Sequence, residues 1–278
     1  MSTNTFWSAE LQQMPATAPA VIGDTVIVAS QDSGMTALHT TLRGYDLNSG
    51  EVKWQQTLEY GLVTGLSSYT AEKQRPLVLI TTMGSDFLNG EAGLWAIDES
   101  GSEVWRWDGD GESFSDTMIY YDAQLANHLA ICTIDASMLL VVHPLNGKQK
   151  AYVSISSDTS IAAPAYHNGV VILPTRGPEV TAVDLEGQQR WQYKSSESVW
   201  FDKTPVVIGS YVIVTSSQGI AAGIDLLTGV KKWEKAIDPA GKTLSPAATD
   251  GALAYVGSRD GLHALDPGLG KALWTAPL

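Results

Sequence analysis

The sequence contains very little cysteine, and its charged residues are few and unbalanced. Cys132 is the single cysteine, which excludes a disulfide within the chain. Charged residues make up only 17% of the chain, and 30 Asp and Glu against 17 Lys and Arg give a formal net charge of −13. A surface of this sign repels phosphate backbones and anionic lipid headgroups. We therefore expect neither nucleic acid nor a membrane as the partner.

Long hydrophobic runs are also missing. No window offers 18 uncharged apolar residues, as a membrane-spanning helix requires. The first twenty residues lack a basic region followed by a continuous apolar stretch, so we expect a cytosolic protein. Cys132 stands in the apolar run HLAICTI, which predicts a buried and inert thiol rather than a nucleophile.

Sequence motifs of common catalytic and metal sites are absent. There is no G-x-S-x-G, no H-E-x-x-H and no phosphate-binding G-x-x-x-x-G-K-[ST], and the five histidines have no paired spacing. The loop DGDGESFSD resembles a calcium loop but lacks the Gly at its sixth position and the Glu at its twelfth. We expect a solvated turn there and predict no metal and no cofactor. The weak calcium candidates in this loop are Asp108, Asp110, Glu112 and Asp116.

The chain does contain an internal repeat. In YDLNSGEVKW (45–54) an Asp stands four residues before a Gly and eight before a Trp, and related segments return five more times. The acidic positions are separated by 52, 45, 41, 41 and 41 residues, which is typical of four-stranded propeller blades. The acid and Trp positions that match are Asp46, Trp54, Asp98, Trp105, Asp184, Trp191, Asp225, Trp233, Asp266 and Trp274.

The spacing has a physical reason. A carboxylate at the start of a turn accepts hydrogen bonds from amides just downstream, and the Gly supplies the positive φ that closes the hairpin. The turn fixes the strand register, so the Trp reaches one defined place where its ring can pack between adjacent sheets. Short β-branched runs broken at Gly, Asn or Asp precede each turn and predict hairpins. No window keeps a helical period for three turns.

These residues resemble the pyrroloquinoline-quinone-like β-propeller repeats. The segments GIDLLTGVKKW and AIDESGSEVW match the pattern Ala-x-Asp-x-x-Thr-Gly-x-x-x-Trp closely. The resemblance implies an all-β fold, and the repeats divide one domain, 1–278, into six four-stranded blades. We place these approximately at 18–58, 62–108, 117–155, 160–194, 200–236 and 243–278.

Two places depart from the repeat. The third blade has His143 for the acid and Ala151 for the Trp, and Tyr152 is the candidate to replace the missing ring. At the start of the chain NTFWSAEL (4–11) is similar to KALWTAPL near its end, so we predict an extra outer strand that pairs with the final blade and helps to close the ring. The alternatives are a position elsewhere on the surface and the remnant of a longer parent chain.

A group of aromatic and charged residues is the candidate binding surface. It stands at the starts of inner strands, where the other blades have small residues, and side chains there approach the central channel of a propeller. Such a surface suits binding through loops, although the same rings could simply fill the channel. The residues of this surface are Tyr120, Tyr121, Asp122, Trp200, Phe201, Asp202 and Lys203.

Three functions compete at this point. A non-catalytic scaffold that binds another protein through its loop face, as a subunit or sensor module of a cytosolic assembly, agrees with the acidic surface and the family resemblance. A sensor or hydrolase for a small ligand or carbohydrate at the channel mouth is the alternative. The resemblance also suggests a quinoprotein oxidoreductase, but those enzymes have eight blades, a metal, adjacent cysteines and export, so pyrroloquinoline quinone is not an expected cofactor.

Overall fold

The computed structural model describes residues 7–11, 13–31, 40–58, 61–84, 92–107, 109–111 and 113–277. All regular secondary structure in these residues is β-strand, arranged as six sheets that follow one another along the chain. We number them as blades one to six. Within the described residues, no helix has the length and apolar character needed to cross a membrane.

Blades one to three use the first thirteen strands. Blade one has five strands in the order β1-β3-β4-β5, with β2 paired to β3, whereas blades two and three each have four in chain order. The strands are β1 (Met14–Pro15), β2 (Ala20–Ile22), β3 (Thr25–Gln31), β4 (Thr40–Asp46), β5 (Val52–Leu58), β6 (Leu62–Tyr69), β7 (Leu77–Met83), β8 (Gly93–Ile97), β9 (Glu103–Arg106), β10 (Met118–Asp122), β11 (Asn127–Ile134), β12 (Met138–Val142) and β13 (Gln149–Ser154).

Blades four to six use the remaining twelve strands, four to each blade and again in chain order. The predicted division into six four-stranded units is confirmed, with the short β1 as an addition to blade one. The strands are β14 (Ala165–His167), β15 (Val170–Leu173), β16 (Glu179–Asp184), β17 (Gln189–Lys194), β18 (Val206–Ile208), β19 (Tyr211–Thr215), β20 (Ile220–Asp225), β21 (Lys231–Ala236), β22 (Ala248–Thr249), β23 (Ala254–Ser258), β24 (Gly261–Leu265) and β25 (Ala272–Pro277).

The chain forms two compact units. Unit one consists of Met1–Tyr121, His128–Asp135 and Val141–Lys150, and unit two consists of Asp122–Asn127, Ala136–Leu140 and Ala151–Leu278. Blades one and two belong to unit one and blades four, five and six to unit two. Blade three contributes residues to both.

Each unit has its own apolar core between consecutive blades. The middle strands are rich in Val, Ile, Leu and Ala, which favours strands and leaves little polar surface to bury. In unit one Ile27 and Leu42 of blade one pack with Val78 and Ile80 of blade two. Unit two repeats the arrangement twice, first between blades four and five and then between blades five and six.

The turn before each outer strand has the predicted construction. In blade one the Oδ1 atom of Asp46 accepts hydrogen bonds from the amides of Asn48 (2.9 Å) and Ser49 (2.8 Å). Gly50 has a φ of 74° and its amide donates to the Asp46 carbonyl. The Ser49 amide, followed by that of Asn48, lowers the pKa of the Asp46 carboxyl because both bonds favour the charged form. We call this turn, from the acid to the glycine, the corner.

Other blades build the same corner. The carboxylates of Asp98, Asp184, Asp225 and Asp266 each accept two amides of their own turns. In blade three the Nδ1 atom of His143 accepts the Leu145 amide at 3.1 Å, so the imidazole replaces the carboxylate as the turn acceptor. Although histidine replaces the acid in blade three, the corner is therefore still formed there.

A tryptophan of one blade lies on the corner of the next. The Nε1–H of Trp233 in β21 donates to the carbonyl of Pro267 (2.8 Å), the residue after Asp266, and a Cβ at Gly270 would overlap its ring. The same contact links Trp54 to Glu99 (2.8 Å), Trp105 to Pro144 (3.0 Å) and Trp191 to Leu226 (2.9 Å). Each acceptor is the residue that follows the acid or histidine of the corner.

The corner of blade four receives no tryptophan, because the outer strand of blade three has none. Val153 and the Ser154 carbonyl approach the corner glycine Gly187, whereas Tyr152 is 38% exposed. The expectation that Tyr152 replaces the missing ring is wrong, because backbone and a smaller aliphatic side chain occupy that place.

The first tryptophan of the chain also lies on a corner. Residues 7–11 are not in a strand, so the predicted outer strand at 4–11 is absent from them, and 4–6 lie outside the described residues. The Nε1–H of Trp7 donates to the Leu47 carbonyl at 2.9 Å, and the ring stacks on Tyr45. Trp7 thus contacts blade one in the way that the outer-strand tryptophans contact their neighbours. The described part of this segment, residues 7–11, therefore lies against blade one without forming a strand.

We expect Trp233→Ala to lower the free energy of unfolding by about 3 to 5 kcal/mol, because it leaves a cavity and removes the bond to Pro267. Urea unfolding followed by circular dichroism measures the change. Trp200→Ala is the matched control: Trp200 is 56% exposed, and we expect a loss below about 1 kcal/mol. Equal losses in the two variants would show that the corner contact does not stabilise the sheets.

Candidate binding surface

Trp200 lies in the segment between β17 and β18 of unit two and is 56% exposed. Its amide donates to the Oε1 atom of Gln218 at 2.7 Å, and its carbonyl accepts the Ser217 amide at 3.4 Å. Both partners belong to the turn between β19 and β20. The backbone that carries this exposed indole is therefore fixed from an adjacent blade.

The next residue points the other way. Phe201 is fully buried in the core between blades four and five, with its ring 6.1 Å from that of Tyr193. Its amide donates to the Gly177 carbonyl, and its carbonyl accepts the Thr175 amide. The prediction that Phe201 forms part of a binding surface is wrong, because its ring is buried in this core.

Asp202 and Lys203 are engaged with neighbours. The hydroxyl of Ser217 lies 2.9 and 2.7 Å from the two carboxylate oxygens of Asp202, and Lys203 Nζ lies 3.4 Å from Oδ2. The Asp202 carbonyl accepts a hydrogen bond from the Ser160 hydroxyl at 3.2 Å. These groups tie three segments of unit two together beside the exposed indole.

Two features of this surface were not predicted from sequence. Ile161 is 46% exposed and directly follows Ser160, so the segments that carry Ile161 and Trp200 are joined by a hydrogen bond. An apolar residue at the end of the polar stretch SSDTS was the available signal. A polar cleft of about 240 Å³ also lies in this unit and borders the Trp200 segment through Gly177. Its lining residues are Ser156, Ser157, Asp158, Thr175, Arg176, Gly177, Glu179 and Gln192.

The other predicted residues stand at the start of blade three. In unit one Tyr121 is 59% exposed, and its ring meets His128 edge to face at 5.1 Å, while Tyr120 is half-buried. In unit two Asp122 is buried, and its carboxylate accepts the Tyr166 hydroxyl and the Leu125 amide. The Tyr166 hydroxyl is the main cause of the lowered pKa of Asp122. Asp122 therefore stabilises a turn and is not exposed for binding.

The acidic loop does not form a metal site in the part of the chain that the structure describes. No group of three or more His, Cys, Asp or Glu side chains comes together there. Asp108 and Glu112 lie outside the described residues, and Asp110 is exposed. Asp116 points toward the inner strand β6, where a Cβ at Gly65 would overlap its carboxylate.

Among the described carboxyl groups of unit one, Asp116 has the pKa that burial shifts most clearly. Desolvation raises its pKa from 3.8 to about 6, although the Thr117 amide donates to Oδ1 at 2.7 Å and opposes the shift. The register of β6 against β7 shifts between Val63 and Gly65, which accommodates the side chain. Burial likewise raises the pKa of Cys132 to about 12, as expected for an inert thiol.

Comparison with known proteins agrees with this architecture. The family model described as outer membrane protein assembly factor BamB matches residues 39–276. The crystal structure of BamB from Moraxella catarrhalis is similar, with a TM-score of 0.56 and 16% identity over 99% of this chain and 91% of that one. The computationally designed Ika8 protein gives a TM-score of 0.69 and 15% identity over 95% of this chain and 74% of its own. No curated protein matches the sequence significantly. The fold is a β-propeller, and the six sheets are its blades.

We expect Asp116→Asn to stabilise the protein more at pH 8 than at pH 5. The folded pKa of about 6 lies above the ordinary 3.8, so the wild-type protein loses stability as pH rises through this window while the amide does not. The stability difference between variant and wild type should grow by about 1 to 1.5 kcal/mol from pH 5 to pH 8. Urea unfolding at both pH values measures it. A difference that stays constant would show that this carboxyl titrates normally.

Proposed function

Because the chain belongs to the PQQ-like β-propeller family described as outer membrane protein assembly factor BamB, we propose that it is a non-catalytic scaffold. It binds another protein through the surface around Trp200. The family description names a factor that acts in the assembly of other proteins, and propellers of this fold serve as protein-binding scaffolds in general. Both points support a protein as the partner.

The exposed indole of Trp200 is the observation that carries the proposal. A tryptophan with more than half of its side chain in water forfeits a large hydrophobic gain, and such residues are frequent anchors of protein interfaces. The bonds of its backbone to Gln218 and Ser217 fix the chain segment that carries the ring before binding, which lowers the backbone entropy lost on association. Ile161 extends the apolar surface.

The charged groups beside this indole support binding rather than catalysis. The Asp202 carboxylate accepts the Ser217 hydroxyl and meets Lys203, so it is an engaged structural group rather than a free acid or base. A rim of satisfied polar groups around an aromatic centre is the usual anatomy of a protein interface.

We further propose that the protein works as a subunit or sensor module of a larger assembly in the cytosol. The sequence features that favour a cytosolic protein support this location, and fractionation of the native source tests it. Recovery with the periplasmic or membrane fraction would contradict a cytosolic location.

We expect Trp200→Ala to weaken capture of the partner by tenfold or more, as for a central aromatic anchor. Wild-type protein and variants immobilised at equal density are exposed to native lysate, and retained proteins are quantified by mass spectrometry. Leu227→Ala is the matched control, because Leu227 is 80% exposed but lies on the corner of blade five. The proposal requires a set of proteins lost by the first variant and kept by the second; identical sets with all three proteins contradict it.

A second candidate function rests on the polar cleft. Arg176, Asp158, Glu179 and Gln192 offer donors and acceptors to a hydroxyl-rich ligand, so a sensor or hydrolase for a small ligand or carbohydrate remains a competing proposal. In a thermal-shift screen with sugars, quinone and calcium, this candidate predicts a rise of several degrees in the melting temperature with a sugar. Gln192→Ala should remove the rise. No shift with any sugar would contradict this second candidate.

A further inference from the structure

The carboxyl group of Asp116 lies between two blades of unit one without a cation beside it. A Cβ at Gly65 of β6 would overlap its carboxylate, so the side chain lies against the inner strand of blade two, although Asp116 itself precedes the first strand of blade three. The Thr117 amide donates to Oδ1, and no lysine or arginine in the described part of the chain forms an ion pair with it. An ionised carboxylate in such a place has lost water without gaining a counter-charge.

Two threonine hydroxyls of blade two are buried near this carboxylate. Thr81 of β7 pairs with Gly65, and cross-strand partners share one face of a sheet, so its side chain lies on the face that Asp116 covers. Thr64 is the extra residue at the register shift between Val63 and Gly65, opposite the same Thr81. Both Oγ1 atoms are buried, and neither has a hydrogen-bond partner among the described residues; Thr81 as a whole is 0% exposed.

Blade three encloses the other side of the carboxylate. Burial is the main cause of the raised pKa of Cys132, the Thr117 side chain opposes the shift, and the Asp116 charge adds to it, so the three groups lie close together. The Ser67 hydroxyl of β6 donates to the Thr117 carbonyl and joins the two blades at this place. Asp116 itself is half-buried, so solvent still reaches the carboxylate.

The chemistry of these groups suits a small cation of single charge. Carboxylate and hydroxyl oxygens are hard donors that favour hard metal ions. One carboxylate offsets one positive charge, whereas protein sites for calcium supply several carboxylates. A water molecule could bond to the two hydroxyls, but it would leave the charge of the carboxylate without an opposite charge.

We propose that Asp116 binds a monovalent alkali cation, sodium or potassium, with the hydroxyls of Thr64 and Thr81 as further oxygen donors. The ion gives the carboxylate the counter-charge that the chain itself does not provide, and it gives both buried hydroxyls a partner. Because the donors come from blade two and from the start of blade three, the ion holds these two sheets together and stabilises the folded protein.

Melting temperatures in sodium chloride, potassium chloride and N-methyl-D-glucamine chloride test the proposal. The three salts are compared at one ionic strength of about 0.1 M, so that screening of the acidic surface is the same in each. The organic cation is too large to enter between the blades. Sodium or potassium should raise the melting temperature by about 2 to 5 °C above the value in the organic salt. Equal melting temperatures in all three salts overturn the proposal.

Three variants locate the source of the difference. Asp116→Asn keeps the shape of the side chain but removes its charge, so it should abolish the difference between the salts. Glu72→Gln is the matched control, because it removes the same charge from an exposed side chain of unit one and should keep the full difference. A salt difference that Asp116→Asn retains in full would come from the acidic surface and would overturn the proposal.

Thr81→Val tests the site without altering any charge. It removes a hydroxyl that has no hydrogen-bond partner among the described residues, so the circular dichroism spectrum should be unchanged while the response to the small cation becomes weaker. A full response in this folded variant overturns the assignment of Thr81 as a donor. The pH dependence expected of Asp116→Asn applies in N-methyl-D-glucamine chloride, where no small cation competes with the proton for this carboxylate.

Discussion

The contact between an indole and the corner of the next sheet is the interaction on which this structure depends. Two requirements meet in it: the indole N–H needs an acceptor when it is buried, and the ring needs a backbone that it can approach closely. The carbonyl after the corner acid meets the first requirement. The corner glycine meets the second, because any Cβ at Gly270 would overlap the Trp233 ring.

The same indole also constrains its own sheet. A Cβ at Gly44 or Gly223, directly opposite Trp54 or Trp233 on the neighbouring strand, would overlap the ring. The other tryptophan-bearing blades have alanine at this position. The register then shifts by one residue just before the corner. The repeat is therefore one steric unit of small residue, acid, glycine and tryptophan. Blade three lacks the tryptophan and also has the larger Val141 at the small position, so the two changes occur together.

How well a feature could be predicted from sequence depends on how far apart along the chain the residues that determine it lie. The corners depend on residues within ten positions of each other, so their acids and glycines could be recognised from local spacing. Trp274, which was expected to pack between sheets like the other tryptophans, is instead 44% exposed. The surface depends on partners from other blades. Alternation predicts that Trp200 and Phe201 point to opposite sides, but it does not say which one is buried. That depends on the hydrogen bonds that the Trp200 carbonyl accepts from Ser217 and that the Phe201 amide donates to Gly177. Trp7 was assigned to the wrong contact because the same short pattern fits any free corner.

The docking contacts and the candidate binding surface lie at opposite ends of the strands. Corners join the third and fourth strands of a blade, whereas Trp200 lies in a connection between blades and Ser217 in a turn between second and third strands. A strand such as Ile220–Asp225 separates the two ends by about 20 Å. Substitutions at that distance without shared partners act almost independently on stability. The fold can therefore change what its loop surface binds while its corners keep the sheets together, which is the physical reason that the repeat reveals the architecture so clearly and the partner so little.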